Sequence, residues 1–254
     1  MNLFALEAKN LLIKQIPEDW AEHISNYITR DSFLSIGKTV RNARYSRTVF
    51  PDSKHIFKAF KYPFEKVKVV IVGQDPYHNG NADGLAFSCK ESLSPSLTQI
   101  IRAIWKDQLR DVNIPTAHIN LNLYLGNRNN WNLEYLAEQG VFLYNPTLTV
   151  EQGVPNSHKG LWTDFTKAVF HSLDNKNNVV WMLWGKDAEE SVLKAFNSIK
   201  RTSSPKDNDK KLLLTCEHPA AASYQKRIWE CNHFSEANKF LESKGLTEIE
   251  WIQR

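Results

Sequence analysis

Four short apolar runs, each ending in a polar cluster, set the strongest limit on how this chain folds. "VKVVIV" (Val67–Val72) gives way to "GQDPYH", and "VFLYN" (Val141–Asn145) to "PTLTV". "VVWMLWG" (Val179–Gly185) is followed by "KDA", and "LLLTC" (Leu212–Cys216) by "EHPAAAS". Runs this uniformly apolar suit strands buried on both faces. The stretches around them carry helix signals. "PEDWAEHISNYI" has Pro and acids in its first turn, and "PDSKHIFKAF" reads as a shorter helix. "SPSLTQIIRAIWKDQL" offers Ser94 or Ser96 as a cap and Ile100, Ile101 and Ile104 as an apolar stripe. "NLEYLAEQG" stops at Gly140 and "CNHFSEANKFLESKG" at Gly245, with "WTDFTKAVFHSL" and "KDAEESVLKAF" as helices between them. Strands alternating with helices predict a three-layer α/β/α fold around a mainly parallel four-stranded sheet. Ligands in such sheets bind at the carboxyl ends of the strands, where the polar clusters fall.

At 254 residues and 42% hydrophobic, the chain can bury one substantial core, so a single domain spanning 1–254 is expected. Residues 1–14 read as an N-terminal extension without an assignable role. The net charge of +4 is compatible with nucleic acid as a partner without establishing it. Cys89, Cys216 and Cys231 are odd in number and far apart in sequence, which argues against a disulfide framework, a zinc ribbon or a four-cysteine iron–sulfur cluster. The start lacks the features of a secretory signal, and no apolar run approaches the roughly 20 residues that span a bilayer. A soluble, intracellular protein without a membrane partner is the expectation. "KRTSSPKDNDKK" (Lys200–Lys211) reads as a charged surface loop.

Each polar residue at the strand exits has an ordinary use. Asp75 before Pro76, Asn145 before Pro146 and His218 before Pro219 can each finish a turn, and Tyr77 and Phe87 can serve as core. The predicted sheet, however, brings all five to one rim. That convergence points to a site.

"GQDPYH" with a downstream "GLAFS", then "LYNPTLTV", "SHKGLWTDFT", "VVWMLWG" and "HP…CNHFSEAN", resembles uracil-DNA glycosylase of the family 1 type, in order from about Asp19 to Trp251. The resemblance implies hydrolysis of the N-glycosidic bond of deoxyuridine in DNA, without a cofactor or metal. It assigns Asp75 to the sugar cation and the attacking water, and His218 to uracil O2 as a neutral hydrogen-bond donor. Asn145 would read uracil O4 and N3–H through its amide, Tyr77 would exclude the 5-methyl of thymine, and Phe87 would stack on the ring. Gln74 would add polar contact at the pocket floor. Ser96 and Ser223 match serines that contact phosphates. Uracil-containing DNA, single- or double-stranded, is the implied partner, a proteinaceous glycosylase inhibitor is another, and a monomer is expected. The compartment would be cytoplasmic in a bacterium, and nuclear or organellar in a eukaryote or its virus.

Two motifs depart from the family pattern. Gly185-Lys186 stands where Gly-Ser is usual, and "HPAAAS" where "HPSPLS" is usual, which puts Ala222 at the position of the intercalating Leu. Alanine is a poor wedge. Tyr224 or the following "QKRIW" would have to substitute, with Lys186 strengthening the phosphate grip and Lys226 and Arg227 facing the groove. An accessory DNA-binding protein that keeps the fold without the activity is the competing reading. A metal-dependent phosphoryl hydrolase fits less well, because no second carboxylate motif appears at another strand exit.

Overall fold

The computed structural model describes residues 2–108, 131–193, 195 and 210–252. In chain order its helices are α1 (Leu3–Leu12), α2 (Glu18–Ile24), α3 (Arg30–Ser46), α4 (Pro95–Gln108), α5 (Glu134–Glu138), α6 (Thr163–Asp174), α7 (Lys186–Leu193), α8 (Pro219–Tyr224) and α9 (His233–Ser243). The strands are β1 (Val49–Phe50), β2 (Val69–Val72), β3 (Val141–Tyr144), β4 (Val150–Glu151), β5 (Val179–Trp184) and β6 (Lys211–Cys216).

The expected four-stranded sheet is present, in the order β3-β2-β5-β6 with every pairing parallel. Side chains alternate across a strand, and β5 shows how both faces are covered. Trp181 meets Phe170 of α6 at 5.7 Å, whereas Trp184 meets Phe234 of α9 at 6.1 Å. On one face Trp20 of α2 stacks on Phe142 at 4.7 Å, beside Phe60 and Phe165. The other carries α9, which packs on β5 and β6, with α4 packed on both α8 and α9. All four residues of β2, all four of β3 and all six of β5 are buried, as their composition predicts.

Several elements differ from expectation. β2 begins at Val69 because Val67 closes a 3-10 turn, its N–H bonded to Phe64 O at 3.1 Å. "PDSKHIFKAF" forms two separate 3-10 turns, Ser53–His55 and Lys58–Lys61, rather than a helix. β1 and β4 pair antiparallel as a small second sheet that no sequence signal announced. Within the charged stretch Lys200–Lys211, residues 200–209 lie outside the described residues, and Lys211 opens β6. The N-terminal segment is not an appendage. Asn2 caps α1 by accepting from the Ala5 N–H, and Ala5, Ala8 and Leu12 are buried where α1 packs on α2 and α3. Among the described residues no helix is long and apolar enough to cross a membrane.

Candidate active site

Strand ends and the turns that follow them build the site. β2 leads through Gly73 and Gln74 into Asp75-Pro76-Tyr77, β3 leads to Asn145, β5 to Gly185, and β6 to His218. Gly73, Gln74, Asp75, Tyr77, Phe87, Ser96, Asn145 and His218 all line one cavity of about 140 Å³. A cavity of that size admits a single six-membered ring. The five residues expected to converge do so.

Close approach explains two glycines. A Cβ on Gly73 would collide with Asn145 Oδ1, so only glycine lets the Asn145 amide lie against the turn. Gly185 has φ +91°, and a Cβ there would come within 2.9 Å of His218 Cβ. Both positions hold a polar side chain in place by leaving room for it.

The pocket wall is fixed by its own hydrogen bonds. Phe87 sits at φ +62°, a strained conformation for an aromatic residue. Buried Asp83 holds the turn by accepting from the Leu85 N–H at 3.0 Å and the Ser88 hydroxyl at 2.6 Å, with Lys58 Nζ at 3.1 Å. The Ala86 N–H donates to Leu143 O at 3.1 Å and ties the turn to β3. The Tyr77 hydroxyl lies 2.7 Å from Ser94 Oγ, and Ser94 also accepts from the Leu97 N–H as the cap of α4. Burial pushes the Tyr77 phenol up, so the ring is a neutral wall.

His218 is the N-cap of α8, and its Nδ1 accepts from the Ala220 N–H at 3.1 Å. A ring nitrogen that accepts carries no proton, so the neutral ring bears its hydrogen on Nε2 and is a donor there. Burial lowers the His218 pKa and keeps it neutral; Asp187 acts weakly in the opposite sense. Asp75 Oδ2 accepts from the Asn156 N–H at 2.8 Å. Burial raises its carboxyl above the usual range, against the pull of the Asn156 N–H and His78, and Asp187 raises it further.

Gln74 is among the residues that line the cavity. Its side-chain amide donates to Asp187 Oδ2 at 2.9 Å and Asn156 Oδ1 at 3.2 Å, which commits it to the rim beside Asp75. Sequence reasoning missed Asp187 and Asn156. The signal was available for Asp187, an acid one residue beyond the Gly185-Lys186 exit.

The outer positions are less uniform. Ser96 is buried at the start of α4 and lines the cavity. Ser223 does not line it; its hydroxyl donates to Pro95 O at 3.2 Å. Lys186 is exposed at the start of α7. Ala222 is fully buried in α8, which packs against α4, so position 222 is a core position here and no wedge. Tyr224, by contrast, is 88% exposed. Arg227 is engaged by Glu217, and Lys226 is exposed with φ +52°.

Fold and site together define an open-sheet α/β protein whose strand ends frame a ring-sized pocket with an acid, an amide, an imidazole and two aromatics. Residues 60–242 match the family model for the uracil DNA glycosylase superfamily. The chain belongs to that superfamily. It is 37% identical over 243 residues to "Uracil-DNA glycosylase" of Phocaeicola vulgatus, covering 93% of this chain and 99% of that protein. It is 38% identical over 241 residues to the Haemophilus influenzae protein of the same name, covering 92% and 99%. Among solved structures, mimivirus uracil-DNA glycosylase shares the fold with a TM-score of 0.63 at 18% identity, covering 90% of this chain and 88% of that one. A variant of it in complex with UGI gives a TM-score of 0.74 at 19% identity, covering 98% and 93%.

Proposed function

We propose that this chain is a family 1 type uracil-DNA glycosylase, which hydrolyses the N-glycosidic bond of deoxyuridine in DNA, releases uracil and leaves an abasic site. One observation carries the assignment of roles: Asp75, Tyr77, Phe87, Asn145 and His218 meet on a single cavity of about 140 Å³.

Cleavage leaves positive charge on the sugar and negative charge on the base. The Asp75 carboxylate stabilises the first and orients the water whose oxygen attaches to the sugar carbon. The His218 Nε2–H donates to uracil O2 as charge builds there. Its strength lies in preorganisation, since the Ala220 N–H on Nδ1 fixes the tautomer beforehand. Removing one such donor costs about 10²–10³ in rate.

Asn145 offers one donor and one acceptor, which match uracil O4 and N3–H. Cytosine presents the reverse pattern and leaves buried groups unpaired, a penalty of roughly 1–3 kcal/mol per group. Tyr77, held by Ser94, closes the space a 5-methyl would need. Phe87 stacks on the ring, worth about 1–3 kcal/mol.

The base inside a duplex must be everted first, which costs a few kcal/mol. Tyr224 is the exposed aromatic nearest the His218 turn in sequence and takes the wedge role. Ser96, Gly185 and Lys186 grip the backbone phosphates, and Ser223 joins them by releasing Pro95 O. Both single- and double-stranded uracil-containing DNA are substrates of a monomer organised as one domain. The complex formed by the mimivirus variant with UGI supports an inhibitor protein as a further partner.

Incubation with a uracil-containing oligonucleotide in EDTA should release free uracil, and Asp75→Asn should abolish most of the release. Tight binding with no release from the wild-type chain would replace the enzyme with an accessory binding protein. Release that EDTA suppresses would point to metal-assisted chemistry.

A further inference from the structure

Behind the pocket lies a cluster that the glycosylase chemistry does not use. Cys216 ends β6, two residues before His218, and Cys231 stands just before α9. Far apart in sequence, their sulfurs are 4.0 Å from each other. His233 presents a ring nitrogen to the same place, the three groups lying within 4.8 Å of one another.

Two chemistries compete for such a cluster, a metal ion and a disulfide. The imidazole decides between them. Trp184 Nε1–H donates to His233 Nδ1 at 3.1 Å, and an indole can only donate. The neutral ring therefore carries its proton on Nε2 and has no lone pair there for a metal. Turning the ring over would leave Trp184, which is buried, without its acceptor. Two thiols with no third neutral ligand make a poor zinc site.

We propose that Cys216 and Cys231 form a redox-responsive dithiol that closes to an intramolecular disulfide on exposure to an oxidised low-molecular-weight disulfide. The thiolate of Cys216 attacks one sulfur of the reagent, forming a mixed disulfide and expelling one thiolate. Cys231, deprotonated by solvent base, then attacks the Cys216 sulfur and expels the second. Two protein thiols are oxidised and one reagent disulfide is reduced to two thiols, so electrons and protons balance. Burial and its neighbour hold the Cys231 thiol well above its ordinary range, so Cys216 is the sulfur that meets the reagent first and closure by Cys231 is the slower step.

A disulfide of about 2.0 Å requires the two sulfurs to close roughly half of the 4.0 Å between them. Its consequence lies in what the bond encloses. Residues 217–230 carry His218 at one end and Tyr224 in the middle, and their present ties are to α4. Gln99 donates to Arg227 O at 3.0 Å and accepts from the Trp229 N–H at 3.1 Å, and Ser223 bonds Pro95 O. A covalent bond at the base of this segment restricts its freedom in the unfolded chain and in any opened form of the native one.

The test is treatment of the folded, full-length protein with oxidised glutathione, followed by mass and peptide mapping. The expected product has lost the mass of two hydrogens, carries a Cys216–Cys231 linked peptide and leaves Cys89 free for alkylation. Its Tm should rise by roughly 5–10 °C over the reduced protein. Cys216→Ser and Cys231→Ser should each retain a folded Tm in reductant and show no rise with oxidant. A stable glutathione adduct on Cys216, a bond to Cys89, or stoichiometric zinc retained by the reduced protein would each overturn the proposal. None of these readouts depends on uracil release, so failure here would be distinct from failure of the glycosylase assignment.

Discussion

Asp187 sits at the rim of the pocket, joined to Asp75 by a chain of polar contacts. Gln74 links it to Asn156, whose N–H holds the Asp75 carboxylate. Asp187 raises the pKa of both Asp75 and His218. The role proposed for Asp75 needs its carboxylate ionised, so the rate should fall as pH drops through a carboxyl pKa that burial has already raised above 3.8. The role proposed for His218 needs a neutral ring, and its lowered pKa extends neutrality below pH 6.5. Removing the Asp187 charge lowers both values. Asp187→Asn keeps an acceptor for Gln74, so the acid limb of the pH–rate profile should move to lower pH with the plateau nearly retained. An unmoved midpoint with a reduced plateau would make Asp187 a purely structural brace. The principal residues were legible at this scale because the strand exits that carry them converge on one rim of the sheet. The Gln74–Asp187 contact was not, since a hydrogen bond between positions so far apart leaves no local pattern.

Among the elements, α8 shows how one substitution is read differently once its helix is visible. In sequence, "HPAAAS" looks like a wedge loop that has lost its wedge. In the fold, the alanines build a short helix on α4, and Ala222 is its buried face. Restoring leucine at 222 should therefore overpack that contact, costing about 1–3 kcal/mol, measurable as a lower Tm with no gain in duplex activity. Tyr224→Ala should leave Tm nearly unchanged, since the ring is 88% exposed. It should lower excision from duplex at least severalfold more than from single strands; equal small losses would remove Tyr224 from the wedge role. The central strands were readable from their uniformly apolar runs, α4 from its apolar stripe and α9 from its glycine stop. β1 and β4, two residues each, are too short to carry a period. α3 was readable but unread: Phe33, Ile36 and Val40 follow helical spacing on an otherwise polar segment.

For the whole molecule, the main surprise is at the N-terminus. No motif marks residues 1–14, yet α1 closes the side of the core where Leu12, Ile16 and Trp20 are buried together. Leu12→Ala should cost about 2–5 kcal/mol and lower Tm, while the rate at a temperature well below the transition stays unchanged. A neutral Leu12→Ala would make α1 dispensable to the fold. The sheet order was open to inference only as far as parallel strands; which strand sits centrally depends on long-range packing. The strained turn at Phe87 has a last consequence. Because its hydrogen bonds frame the cavity before any nucleic acid arrives, the released base leaves behind a vacancy of its own shape. Free uracil should rebind there and slow turnover by competition, while thymine at the same concentration should not.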